Sequence, residues 1–368
     1  MTSPSTAKDT APLDSSGRHY AALDGLRGVA VLLVFCVHAA GNSAFVVLGA
    51  NFEQTHFTWL TAAFDRVLFW LYASHHGVFL FFVLSGFLIG RMWWPRPVMR
   101  YPTFAWRRTL RIYPAFLLAF AGSLVFVYAS DTWQPPDVPR LVANLLFLNG
   151  APGAAVTAFN IVTWSLFYEM TFYLVFPVVA WLALASRARA APWVGATAIA
   201  LPVLAMQLGA NPLVLCWSLL FIGVAFAMHE ARVRALAARL PAAVVMIAYV
   251  TVTTLALFDL LPAIPAILGF GTATVLVIAK SLQRGNALSW LLTRPLLRAL
   301  GRISYSFYLV HWMFVVLVAR IVSTQGLGGI AATLSIFAGG FLASAAVAAV
   351  LWWIAERPYF AWVRHSGR

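Results

Sequence analysis

Residues 28–49 read GVAVLLVFCVHAAGNSAFVVLG, a run without lysine, arginine, aspartate or glutamate. About 20 apolar residues in a helix cross the hydrocarbon core of a bilayer, so this run predicts a transmembrane helix. Comparable runs follow at 75–94, 112–130, 164–185, 192–208, 212–228, 240–258, 263–281, 303–323 and 329–354. Composition agrees with them. The 368 residues are 62% hydrophobic and 10% charged, with mean hydropathy +0.84. A soluble domain carries about 25% charged residues, and a deficit this large leaves too little polar surface to face water. The chain therefore reads as an all-α integral membrane protein, a bundle of about ten transmembrane helices.

The segments between the runs complete the layout. Residues 1–20 are polar, lack the apolar core of a signal peptide, and read as a disordered cytoplasmic tail. Residues 21–358 form the transmembrane domain and 359–368 a second cytoplasmic tail. Residues 141–149 are too few to cross and read as an interfacial or re-entrant segment, and 57–73 as an amphipathic helix at the outer surface. With both termini cytoplasmic, 22 of the 25 basic residues fall on the inner side, leaving Arg66, Arg140 and Arg320 outside. Positive charge concentrates on the cytoplasmic side of membrane proteins. The net charge of +14 thus serves orientation, and nothing points to nucleic acid or to an obligate protein partner. The two cysteines, Cys36 and Cys216, lie in apolar runs and offer neither a disulfide framework nor metal-ligand spacing.

Ionisable groups inside spans are costly and mark function. Three stand out: His38, Glu169 and His311. Arg27 and His38 are eleven residues apart, so they share one helix face about 16 Å apart along the axis. An anionic, elongated ligand fits that face, and so does a plain interfacial arginine above a packing histidine. Ser85, Gly86 and Gly90 are small residues at helical spacing, suited to close helix packing. Arg108 and Arg111 face the same way and form a fork for a phosphate or pyrophosphate, or else simply anchor the cytoplasmic side. Glu169 lies about 8 Å below Trp164, at a depth comparable to His38, which a carboxylate would orient. Ser304, Tyr308 and His311 share a face, with Tyr305 beside them at the inner mouth.

In this order and spacing the segments resemble the acyltransferase 3 family of membrane O-acyltransferases, from Tyr20 to about Pro358. The marks are Arg27 with His38, Phe81–Phe87, Arg108 with Arg111, the Trp164-Ser165-Leu166 run toward Glu169, Ser304 to His311, and Glu356-Arg357-Pro358. The resemblance implies transfer of an acyl group, usually acetyl, from cytoplasmic acyl-CoA to a hydroxyl of a sugar, a surface polysaccharide or a macrolide-type acceptor. It also implies a bacterial inner membrane. On that reading Arg27, Arg108 and Arg111 hold the donor's phosphates. His38 is the general base or first takes the acyl group. Glu169 orients His38, and Tyr305, Tyr308 and His311 line the donor path, the last two polarising the thioester carbonyl. No metal is implied. A transporter or flippase of a lipid-linked sugar is the alternative, since charged groups at mid-depth also suit such proteins.

Overall fold

The computed structural model describes residues 21–48, 69, 71–72, 76–94, 100–129, 138–185, 191–258, 260–327 and 329–366. The tail 1–20 and all but three residues of 57–73 lie outside them. The described residues are almost wholly helical, without a strand. Their α-helices are α1 (Ala21–Leu48), α2 (His76–Trp93), α3 (Tyr101–Tyr128), α4 (Val138–Leu145), α5 (Trp164–Ala185), α6 (Ala191–Gln207), α7 (Leu215–Met228) and α8 (Glu230–Arg239). There follow α9 (Ala242–Leu257), α10 (Ala263–Ser281), α11 (Ala287–Leu292), α12 (Pro295–Arg302), α13 (Ser304–Thr324), α14 (Gly329–Leu351) and α15 (Arg357–Ser366). A π-helical turn, Trp352–Glu356, joins the last two.

Seven helices are long and apolar enough to cross a membrane, eight if α8 and α9 count as one broken span. That pair bends by 105°. Pro241 supplies the break: it holds Leu240 in an extended conformation, and the carbonyl of Ala237 in the last turn of α8 accepts from the Leu240 N–H at 3.3 Å and from Lys280 Nζ at 3.1 Å. The expected spans at 192–208 and 212–228 appear as the 17-residue α6 and 14-residue α7. At 1.5 Å per residue, 14 residues reach about 21 Å of the roughly 30 Å hydrocarbon core. The third expected span starts earlier, at Tyr101, because Arg100 is extended and Pro102 occupies the first turn, where its missing N–H costs nothing. The short segment 141–149 is the helix α4 followed by a single 3-10 turn, Leu148–Gly150.

Small residues let backbones touch where the site is built. A Cβ on Gly301 of α12 would stand 1.8 Å from the Asp24 carbonyl oxygen of α1, and one on Gly25 would stand 1.8 Å from that of Leu292. A Cβ on Gly86 of α2 would meet the Leu220 carbonyl oxygen of α7 at 1.9 Å, and one on Gly223 that of Val83 at 2.1 Å. Without a hydrophobic drive between helices in lipid, such close approach is what binds them. Gly86 and Gly90 thus have the packing role their spacing suggests.

The layout of charges gives a direct expectation for topology. A single cysteine at position 100 stays protected from an impermeant thiol reagent in intact cells, and one at position 137 is labelled. Labelling at 100 but not at 137 overturns the orientation.

Candidate active site

Two histidines from distant parts of the chain meet inside the bundle. The rings of His38 on α1 and His311 on α13 lie 5.1 Å apart between centroids, tilted by 54°. His311 is fully buried, stacked on Phe307 with Tyr308 on its other flank. Its Nδ1 lies 2.8 Å from the Tyr308 carbonyl oxygen and 3.3 Å from that of Phe307. Carbonyl oxygens only accept, so Nδ1 carries the hydrogen. The Nε2 of the neutral ring is then a bare lone pair, and among the described residues it has no hydrogen-bond partner. In this tautomer Nε2 is free to accept a hydrogen bond, whereas the sequence reading had His311 polarise a thioester carbonyl.

Glu169 enters from α5. Its carboxylate accepts a hydrogen bond from Ser85 Oγ at 3.2 Å and one from the Tyr173 hydroxyl. Its charge also acts on Arg27, Tyr305 and Tyr308. Glu169 is therefore a shared neighbour of four helices, α1, α2, α5 and α13. Its hydrogen bonds run to hydroxyls, whereas the ring stationed beside His38 is that of His311.

Toward the Arg27 end the cluster becomes ionic. Arg27 feels Arg111, Asp24, Glu356 and Glu169. Asp24 and Glu356 are 3% and 2% exposed, and such burial is tolerable for carboxylates only beside positive charge or hydrogen-bond donors. Glu356 sits in the π-helical turn and accepts from the Ser306 N–H at 3.1 Å and the Ser306 Oγ at 2.6 Å. It thereby caps the N-terminus of α13, where the helix dipole favours an anion. The arginine fork is divided between aromatic rings. The Arg108 guanidinium lies 5.3 Å over Phe104 and 5.2 Å over Tyr173, and donates to the Met92 sulfur. Arg111 lies 5.1 Å over Phe360 of α15 and makes no ion pair among the described residues. Its charge acts on Glu356, as does that of Arg27.

The tyrosines of α13 are structural ties. Tyr305 donates to the Ile112 carbonyl at 3.0 Å, joining α13 to α3. The Tyr308 hydroxyl donates to the Val162 carbonyl and lies 2.7 Å from Ser165 Oγ, which joins α13 to the start of α5. Engaged in this way, Tyr308 has no hydrogen left for a thioester carbonyl. Sequence reasoning missed Ser85, Tyr173, Ser306 and Glu356 as members of the site. Glu356 alone carried a signal, a carboxylate at the edge of a long apolar run.

The result is a polar track enclosed by helices, ionic at one end and ending at two histidines. Ionisable groups gathered from several helices inside a membrane domain mark a functional site. A family model described as an acyltransferase domain, acyltransferase 3, matches residues 20–353, and the chain belongs to that family. Within that family it is a multi-pass helical membrane protein. Acyltransferase MdmB of Streptomyces mycarofaciens is 34% identical over 161 residues, 42% of this chain. The match spans 38% of that relative's own length. No solved structure matches the chain.

Proposed function

We propose that the protein is an O-acyltransferase that moves an acetyl group from cytoplasmic acetyl-CoA to a hydroxyl of a sugar, a surface polysaccharide or a macrolide-type acceptor, in a bacterial inner membrane. The observation that carries the reading is the polar track, with arginines at the ionic end and the His38–His311 pair at the other. The donor's phosphates sit with Arg27, Arg108 and Arg111, and the pantetheine arm runs along α13 toward the histidines. His38 takes the proton of the acceptor hydroxyl as that oxygen bonds to the thioester carbonyl carbon. The tetrahedral intermediate collapses, the C–S bond breaks, and coenzyme A leaves as the thiolate, which takes the proton from His38. His311, beside His38 and with its Nε2 lone pair bare, steadies the imidazolium as a hydrogen-bond acceptor while it lasts. Glu169 balances the positive charge of the track.

Replacing Arg108 and Arg111 together with Gln tests the donor end. Losing charge-assisted bonds of about 1.5–3 kcal/mol each raises the KM for acetyl-CoA at least tenfold. Coenzyme A release by purified protein is the readout. An unchanged KM with reduced membrane insertion makes both arginines anchors only.

A further inference from the structure

We infer that Asn160 is a positioning residue for this reaction, holding the helix that carries His311 in register with the helix that carries Glu169. The inference rests on the reading of His311 as the hydrogen-bond acceptor that steadies the His38 imidazolium in acyl transfer.

Asn160 is 1% exposed, in the turn that leads into α5. A buried amide is costly unless its hydrogen bonds are made, and each half of this one has a different job. Oδ1 accepts from the Val162 N–H at 3.3 Å, the local capping bond of the 3-10 turn Ile161–Thr163. Nδ2 donates at 2.7 Å to the Leu309 carbonyl of α13, a partner 149 residues away in sequence. Capping needs only the oxygen; the nitrogen reaches across to another helix.

The place it reaches matters. Leu309 follows Phe307 and Tyr308, whose carbonyls take the Nδ1 hydrogen of His311 and leave its Nε2 bare. The same short stretch, 160–165, also holds the Tyr308 hydroxyl through the Val162 carbonyl and Ser165 Oγ. Three bonds from one turn therefore grip two consecutive residues of α13, directly beside the backbone that sets the tautomer of His311. Glu169 lies four residues beyond Ser165 on the same α5, one helical turn away. Asn160 thus sets the distance between the carboxylate and the histidine from outside the polar track.

The test separates capping from positioning. Asn160→Ser keeps a side-chain oxygen for the cap but cannot reach Leu309; Tyr308→Phe removes the second tie. With purified full-length protein, acetyl-CoA and a hydroxyl acceptor, we expect each variant to lower kcat about tenfold or more. The KM for acetyl-CoA should stay within about twofold, because the grip lies away from the ionic end. The acid limb of the kcat profile against pH should move, since the backbone around His311 has shifted. Wild-type kcat in Asn160→Ser, or an unmoved pH profile, overturns the inference. So does a loss of activity that merely follows the folded fraction measured by thermal melting. His311→Gln is the reference. A slow His311→Gln beside a normal Asn160→Ser removes the positioning role alone. A normal His311→Gln removes the reading of His311 as the partner of His38 on which the inference stands.

Discussion

A His38→Ala variant loses activity by a factor on the order of 10² or more while inserting and melting like the parent. The loss follows from where the ring sits. His38 is half-buried on α1, next to the ring of His311. An acceptor hydroxyl there needs a dedicated base to become nucleophilic, and imidazole is the side chain that takes up and returns a proton in that role. His311→Gln is also severe, and the double variant is little slower than either single, because groups that act as a unit are not additive. Glu169→Gln is expected to be severe as well, since its charge acts on Arg27 and on three tyrosines of the track. Near-normal turnover in His38→Ala with loss in His311→Gln would move the base from α1 to α13.

The second large effect is on folding. Gly301→Ala places a methyl group 1.8 Å from the backbone oxygen of Asp24. Overpacking a core with added methylenes costs about 1–3 kcal/mol when side chains can shift. Here the obstacle is backbone, and the crossing of α1 with the α11–α12 segment repeats the same approach at Gly25. That crossing also seats Asp24 and Arg27. The expected result is a sharp fall in monodisperse protein after detergent extraction. Gly122→Ala is the control: its Cβ meets nothing within 4 Å, and alanine in a helix is favoured over glycine by about 1 kcal/mol. Equal yields from the two variants would show that the α1–α12 crossing tolerates separation.

Hydropathy and charge made the helical membrane class readable, because each span is a long apolar run whose location does not depend on the rest of the fold. The spacing of Arg27 and His38 was readable for the same reason: both lie on one helix of known pitch. Azimuth between helices was not. Depth alone paired His38 with Glu169, but rotation of α5 brings Glu169 to Ser85 and Tyr173, and rotation of α13 brings His311 to His38. Ser85 looked like a packing residue since its partner lies 84 positions away. Glu356 was a mark of the family without a role in the site, because the apolar run was ended at 354, whereas the π-helical turn carries the buried segment two residues further. Asp24 precedes the first apolar run, yet α1 begins at Ala21 and buries it. Asn160 was one polar loop residue among several, and only the structure shows its nitrogen on Leu309.

The central claim is group transfer by the protein itself, and one measurement bears on it most directly. Purified protein in lipid nanodiscs receives acetyl-CoA labelled in the acetyl carbon, with a sugar bearing free hydroxyls. Mass spectrometry then follows both coenzyme A and the sugar. The account predicts one free coenzyme A for each labelled acetyl ester on the sugar, and neither product from His38→Ala. Intact acetyl-CoA and an unmodified sugar, from protein that carries such a sugar across a sealed bilayer, would contradict it and establish a transporter instead.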